Sequence, residues 1–142
     1  MQVDLYIETD GKGPKTESGW YGYVLEYMGK TLHTVEGFRF AHGTALQLQL
    51  LAICDGLGRL NRSCKLNIHS SNKFIMTALE KYINLWIAND WITAKGEPVK
   101  FSALWETIHE ELIKHQVTWE TQKTHEYSDW ILTEIEKRKK SK

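Results

Sequence analysis

Alternating apolar and polar residues predict three β-strands in the first third of the chain. Val3, Leu5 and Ile7, followed by Thr9, alternate with more polar residues, which indicates a strand with one apolar face and one polar face. Aromatic and β-branched residues predict a second strand at 20–27. A tight turn at 28–30 leads to a third strand at 31–40. The short connections predict that these strands form an antiparallel meander.

The pattern then changes to the period of a helix. Apolar residues recur at intervals of three and four along the segment 44–60, which predicts an amphipathic helix. A short strand follows at 65–69. Ser70 and Ser71 are candidate N-caps for a second helix that extends to Tyr82. Strands that alternate with helices after a meander predict an α+β or α/β layer with a mixed sheet.

The last third continues this alternation. A helix–loop excursion at 86–100 precedes a helix that Ser102 can cap. A last strand is predicted at 117–120 and a terminal helix at 128–139. No repeat or linker interrupts the pattern, so we predict a single domain over residues 1–142, whose short basic tail at 137–142 is frayed and solvated.

Composition places the chain among ordinary globular domains. Its 142 residues are 42% hydrophobic and 25% charged, which is enough apolar material for one core. No membrane-length apolar run and no signal-peptide pattern is present, so we expect no membrane association and a cytoplasmic location. Cys54 and Cys64 lack metal-ligand spacing and are expected to be reduced residues in or near the core. The formal net charge is zero, whereas domains that bind nucleic acid are usually basic.

Two acids lie at the end of the first predicted strand. Asp10 precedes Gly11, so its carboxylate is placed either to hold a metal over the sheet or simply to form a turn. Glu8 lies two residues earlier, on the same face and about 6.5–7 Å away along the strand. A buried glutamate needs a partner, and Gln49, a water molecule or a metal ion could supply it.

Several segments together resemble type 1 ribonuclease H. The segment 7–11 resembles the first strand of that family with its leading catalytic acid, the segment 91–100 its handle, and the segment 115–120 its fifth strand. The resemblance covers about residues 3–136. It implies an α/β fold with a five-stranded mixed sheet, antiparallel in strands 1–3 with parallel additions, flanked by helices. It also implies cleavage of the RNA strand of an RNA–DNA hybrid by four carboxylates that hold two Mg²⁺ ions about 4 Å apart.

The same resemblance assigns site residues one by one. Asp10 matches the first catalytic acid and Asp129 the fourth, whereas Gln49 and Ser70 replace the second and third. His125 corresponds either to the mobile histidine of the family or to a surface histidine without a role. A site with two of its four carboxylates is expected to bind one Mg²⁺ weakly, or no ion.

The chain also has fewer of the residues that bind substrate in the family. Trp91, Lys95 and Lys100 remain in the handle as candidate contacts to nucleic acid. Ala45 and Leu46, however, replace an asparagine pair that contacts the hybrid in the family. We therefore expect any binding of hybrid to be weak.

Three functions follow from these residues. The first is a degenerate ribonuclease H-like domain that binds nucleic acid, such as RNA–DNA hybrid, with metal-dependent cleavage lost or strongly reduced. The second is an active enzyme whose metal site is rebuilt from Asp10, Asp129, Glu8 and Glu126. The third is a protein-interaction module, since the net charge is zero and the chain has six tryptophans.

Overall fold

A single five-stranded sheet organises the part of the chain that the computed structural model describes, residues 1–15 and 17–141. The strand order is β3-β2-β1-β4-β5. The strands are β1 (Gln2–Thr9), β2 (Ser18–Met28), β3 (Leu32–His42), β4 (Lys65–His69) and β5 (Gln116–Glu120). The first three are antiparallel, and β4 and β5 are added in parallel. This arrangement confirms the predicted fold class.

Helices cover both faces of this sheet. They are α1 (Ala45–Leu57), α2 (Lys73–Thr77), α3 (Ile83–Ala88), α4 (Ser102–Leu112) and α5 (Ser128–Lys140). A π-helical turn (Ala78–Tyr82) joins α2 to α3, so that the predicted second helix is one continuous helical segment with a local change of pitch. The helix α1 packs on β1 and β2, and α5 packs on the opposite face of the same two strands.

The strand β1 is buried on both faces, which corrects the prediction of one polar face. Leu5 and Ile7 pack into the large core that includes residues of α1 and α4. Tyr6, on the other face, packs against Ile131 and Ile135 of α5. The sequence pattern reports polarity, but β1 is the central strand and α5 covers the face that carries its polar residues. The acids predicted at its end therefore follow a strand that is buried on both faces.

Two predicted helix caps are wrong. Asn72 rather than Ser70 or Ser71 caps α2, because its Oδ1 accepts the N–H of Phe74 at 3.0 Å. Ser102 is the first residue of α4, and the residue before it, Phe101, has a positive φ of 61° and no side-chain capping bond. A phenylalanine in this left-handed conformation is uncommon and gives the sequence no cap signal.

The basic segment at the end of the chain is helical, not frayed. Residues 137–140 form the last turn of α5, where Lys137 bonds to Glu134 at 2.9 Å and Lys139 to Glu136 at 3.2 Å. These i,i+3 pairs, together with the placement of cations at a helix C-terminus, stabilise that turn. Lys142 lies outside the described residues.

Both cysteines are free, as expected, and Cys64 is buried. Within residues 1–15 and 17–141, no helix is long and apolar enough to cross a membrane. The cytoplasmic location stays a prediction.

Candidate functional site

Glu8 lies at the end of β1 on the face that α5 covers. Its Oε2 accepts a hydrogen bond of 2.5 Å from the hydroxyl of Ser128, the first residue of α5. Burial raises the pKa of the Glu8 carboxyl, and the nearby charge of Asp129 raises it further, whereas the Ser128 bond opposes both. The structure thus supplies Ser128 as a protein partner for Glu8, in place of the expected Gln49.

His125 is fixed beneath the start of α5. Its side chain is only 7% exposed, so the interpretation as a surface histidine is wrong. Nε2 lies 2.8 Å from the carbonyl oxygen of Ile7 and 3.4 Å from Oε2 of Glu8, and Nδ1 lies 3.1 Å from the N–H of Tyr127. This network assigns the neutral ring with its proton on Nε2. Burial lowers the pKa of His125, which agrees with a neutral ring.

Asp10 has different neighbours. Its Oδ1 accepts the backbone N–H of Trp20 at 2.7 Å, and its Oδ2 lies 3.3 Å from Nζ of Lys139 in the last turn of α5. Glu8 and Asp10 both contact α5, as expected for two residues on one face of a strand. Each carboxylate, however, already has its own partners, and Asp10 is paired with a cation.

The two residues that replace family acids belong to a neutral cluster. Oε1 of Gln49 accepts a hydrogen bond of 2.8 Å from Nδ2 of Asn72, and Oγ of Ser70 accepts the backbone N–H of Asn72 at 3.2 Å. Ser70 is 2% exposed. Gln49, Ser70 and Asn72, which we call the uncharged half of the site, therefore satisfy one another without a charge. Glu8 and Asp129, together with His125 and Ser128, form the acidic half.

Ser71 is the exposed residue at the end of β4. The strand β4 ends at His69, which pairs with Tyr6 of β1, and Ser71 follows two residues later. Ser71 lines a surface cavity with Trp119 and Glu120 of β5. Ser70, by contrast, is buried, and its Oγ accepts the N–H of Asn72.

A cavity of about 440 Å³ connects the uncharged half to the handle. Gln49, Asn72 and Lys100 line it, together with Ala45 and Leu46. The structure thus brings Lys100 to the site.

The other handle residues are placed differently. Lys95 is exposed and does not line this cavity. It lies in a turn that is closed by a 2.9 Å hydrogen bond from the N–H of Gly96 to the carbonyl of Thr93. Trp91 is half-buried, and its ring packs 6.2 Å from that of Trp86. Of the three predicted handle contacts, Lys100 alone lines the cavity.

The donor set does not fit two divalent ions. Across residues 1–15 and 17–141, no group of three His, Cys, Asp or Glu side chains is placed to hold one ion. Mg²⁺ is commonly held by one or two carboxylates and several waters. Glu8 and Asp129 are the carboxylates of the acidic half, whereas Gln49 and Ser70 contribute no charge.

The fold and the position of these residues define a class: an α/β domain whose candidate site lies where β1 and β4 end beside the start of α5. A model of the RNase H family matches residues 2–129. The chain belongs to the ribonuclease H family.

Relatives support the same assignment. The chain is 32% identical over 124 residues to a ribonuclease H of Mesorhizobium japonicum, with 87% of this chain and 68% of the relative covered. It is 34% identical over 123 residues to a ribonuclease H of Rhizobium meliloti, with 85% and 78% covered.

Solved structures share the fold at low sequence identity. LC9-RNase H1, described as a type 1 RNase H with the type 2 active-site motif, superposes with a TM-score of 0.75 at 16% identity, with 96% of this chain and 71% of that chain covered. RNase H1 from the archaeon Halobacterium salinarum gives a TM-score of 0.67 at 15% identity, with 97% and 99% covered. At these identities the likeness concerns the fold.

Two residues that contact the candidate site residues were missed from the sequence. Asn72 bonds Gln49 and Ser70, and Ser128 bonds Glu8. A signal for Asn72 was present, because asparagine after a short strand is a strong helix cap. No local pattern could show that Ser128 reaches Glu8, since 120 residues separate them.

Proposed function

We propose that this chain is a ribonuclease H-family domain that binds nucleic acid, with RNA–DNA hybrid as the expected ligand, and in which metal-dependent cleavage is lost or strongly reduced. The observation that carries the proposal is the uncharged half of the site. Gln49 and Ser70 stand where the family resemblance requires carboxylates, and both are engaged in neutral hydrogen bonds to Asn72.

Charge explains the expected loss of activity. Four carboxylates balance two divalent ions, whereas two carboxylates leave an excess of positive charge. Removing one partner of a close charge pair typically costs ~2–5 kcal/mol. Two such losses correspond to about 10³–10⁷ in rate, at ~1.4 kcal/mol per factor of ten. Lys139 further neutralises Asp10, one of the two matching acids.

The expected ligand follows from the family and from one contact surface. The two relatives described above are named ribonuclease H. Lys100 lines the cavity that leads to Gln49, so a phosphate in this cavity would have a cation beside it. Ala45 and Leu46 add apolar surface to the same cavity, which is consistent with weak binding.

An active enzyme is the second candidate, and the acidic half favours it. Glu8 and Asp129 are close enough for the charge of one to act on the other, and His125 lies beside Glu8. Under this alternative, the two carboxylates are the ligands of a single divalent ion. Glu126, whose Oε2 accepts a hydrogen bond of 3.3 Å from Tyr6, is then a further candidate acid.

One assay separates the two candidates. The full chain is incubated with an RNA–DNA hybrid labelled on the RNA strand, with Mg²⁺ or Mn²⁺, while binding of the same hybrid is followed by fluorescence anisotropy. We expect salt-sensitive binding without cleavage above that of an Asp129→Asn variant. Cleavage that depends on the metal and disappears in this variant would overturn the proposal in favour of the enzyme. Absence of binding at low salt would overturn both.

A further inference from the structure

The strand β3 forms a long outer edge of the sheet. It lies beside β2 at the end of the strand order, and it runs for 11 residues. The opposite edge, β5, has only five residues. Natural proteins commonly keep edge strands short, because a long edge is a template for another strand. The edge at which a further strand can pair over the greatest length is therefore β3.

Every second backbone unit of β3 points away from the sheet. The N–H of Gly43 donates to the carbonyl of Glu17 at 2.9 Å, and the antiparallel register of β2 and β3 continues from there without a break. In such a ladder alternate residues bond to the neighbouring strand. The odd-numbered residues of β3 therefore bond to β2, and the even-numbered ones direct N–H and C=O outwards. Within residues 1–15 and 17–141, these groups of Thr34 and Glu36 have no backbone partner outside the ladder.

The sequence of β3 has few of the features that prevent edge pairing. Lysine, proline and β-bulges commonly protect an exposed edge. The strand contains neither lysine nor proline, and its register with β2 is continuous over all 11 residues. Apart from two histidines, its only ionisable residues are Glu36 and Arg39. The edge is thus open in its backbone and weakly protected in its sequence.

The two charges restrict how a second copy can pair with β3. Two-fold symmetry pairs each even-numbered residue with an even-numbered one, and each odd-numbered residue with an odd-numbered one. A pairing centred on Glu36 or on Arg39 places like charges directly opposite each other, which is unfavourable. A pairing centred on Gly37 places Glu36 opposite Phe38. It also places Arg39 opposite Val35, and it is the only two-fold register in which all 11 residues are paired.

The helices leave room for this pairing. Both α1 and α5 pack mainly on β1 and β2 rather than on β3. Strands in a sheet are about 4.8 Å apart, so the α5 helices of two paired copies lie four strand spacings, or about 19 Å, apart. A helix with its side chains is about 10–12 Å wide. The helices of the two copies therefore do not collide.

We propose that this chain forms a two-fold dimer in which β3 pairs antiparallel with β3 of a second copy, centred on Gly37, so that two five-stranded sheets become one. The partner is a second copy because β3 itself supplies the matching length, the open backbone and a register without like charges opposite each other. Two-fold dimers are the commonest soluble oligomers. Edge pairing alone is a small interface, so the dimer is weak and depends on concentration. It does not depend on the hybrid binding proposed above.

Sedimentation velocity of the full chain tests the association. We expect monomer near 5 µM and dimer near 500 µM, both as rough values for a small interface. Thr34→Pro removes an outward N–H from each copy, and proline is compatible with an edge strand whose N–H faces solvent. Its dimer dissociation constant should rise at least about tenfold, with an unchanged melting temperature for the monomer. A wild type that stays monomeric, or a dimer that Thr34→Pro leaves intact, overturns the proposal.

Two opposite charges at one position test the register. Val35→Arg places a cation opposite Arg39 of the second copy, whereas Val35→Glu places an anion there. Both variants lose the same valine, so their difference reports the charge alone. Because the contact occurs twice in a dimer, we expect Val35→Glu to dimerise about tenfold more tightly than Val35→Arg. Equal dissociation constants, or the reverse order, overturn the pairing centred on Gly37.

Amide hydrogen exchange followed by NMR tests which edge is used. Between roughly 20 µM and 1 mM, exchange at Thr34 and Glu36 should slow at least about tenfold, and exchange at Val35, which bonds to β2, should not. The control is Val117 of β5, because the N–H of Gln116 donates to Cys64 and the next N–H therefore points outwards. Slowing at Val117 alone, or at no residue, overturns the proposal. Thr34→Pro should bind RNA–DNA hybrid as the wild type does, so failure of the dimer and failure of hybrid binding are distinguishable.

Discussion

The two halves of the candidate site satisfy buried polar groups in different ways. In the uncharged half, Gln49, Ser70 and Asn72 bond to one another through amide and hydroxyl groups whose hydrogen bonds do not depend on protonation. In the acidic half, Glu8 is held by Ser128 and keeps a carboxyl group whose pKa burial raises. The uncharged half therefore contains no titratable group, whereas the acidic half contains a carboxyl group whose protonation depends on pH.

This difference shows which half would have to change for cleavage. The acidic half has two carboxylates. They are suitable metal ligands, but they are fewer than the four that the family resemblance implies. The uncharged half has a complete hydrogen-bond network, and a carboxylate placed there must either face solvent or break that network. The predictions below test this division, from the largest expected effect to the smallest.

Restoring two acids should restore cleavage. In the double variant Gln49→Glu with Ser71→Asp, the chain gains two carboxylates, the second of them on the exposed residue next to Ser70. We expect Mg²⁺-dependent cleavage of RNA–DNA hybrid to rise by about 10³-fold or more over the wild type, since each restored charge is worth ~2–5 kcal/mol. The rate is measured with labelled RNA in single-turnover conditions.

The matched comparison places the second acid at the buried serine instead. Gln49→Glu with Ser70→Asp should gain far less, because Ser70 is buried and its Oγ already accepts the N–H of Asn72. Equal activity of the two double variants would show that the burial of Ser70 does not limit where an acid can be placed. A folded Ser71→Asp double variant without activity would show that substrate binding also limits cleavage.

A charge at Ser70 should destabilise the fold. Ser70 is 2% exposed, and its Oγ accepts the N–H of Asn72. The substitution Ser70→Asp therefore places a carboxylate at a buried position. We expect the free energy of unfolding to fall by about 3 kcal/mol, as for an unpaired buried charge. Ser71→Asp, at an exposed position, should change it by less than about 0.5 kcal/mol. Urea denaturation measures the free energy of unfolding of both variants. Equal destabilisation would contradict the predicted difference between the buried and the exposed serine.

The acidic half should make stability depend on pH. Because burial raises the pKa of Glu8, the native state keeps this proton to a higher pH than the unfolded state does. Between the two pKa values the unfolded state binds fewer protons, so this group contributes stability that falls as pH rises. We expect Glu8→Gln, which can still accept the Ser128 bond, to be more stable than the wild type at pH 7.

The advantage of Glu8→Gln should shrink below the ordinary glutamate pKa, where the carboxyl is protonated in both states. His125 acts in the opposite direction, because its lowered pKa makes stability fall as pH drops below about 6.5. Because Nε2 of His125 lies 3.4 Å from Glu8, the difference between the variant and the wild type reports Glu8 together with its effect on His125. An advantage that stays constant from pH 4 to pH 8 would contradict the assignment, and exposed Glu97→Gln is the control.

The smallest expected effect concerns hybrid binding. Lys100→Met should weaken binding about threefold at 0.1 M salt and lower the salt slope by about one phosphate contact, because Lys100 lines the cavity beside Gln49. Lys95→Met, which removes a lysine outside that cavity, should change the dissociation constant by less than twofold. Equal losses would show that the whole handle, not the cavity, holds the hybrid.

The sequence by itself determined the order of the strands and helices. The change from a period of two to a period of 3.6 located them, and the resemblance to ribonuclease H implied the five-stranded mixed sheet. The resemblance to ribonuclease H predicted the family, which the comparisons show. Each of these features depends on neighbouring residues or on similarity summed over the whole chain, so it can be recognised without the structure.

Only the tertiary structure decided the partners of the site residues. Ser128 reaches Glu8 across 120 positions, and Lys139 meets Asp10 because α5 crosses the end of β1. Burial of the second face of β1 likewise depended on where α5 packs. Pairing between distant residues is set by the packing of whole elements. A carboxylate in the sequence therefore shows that an acid is present, and only the fold shows what neutralises it.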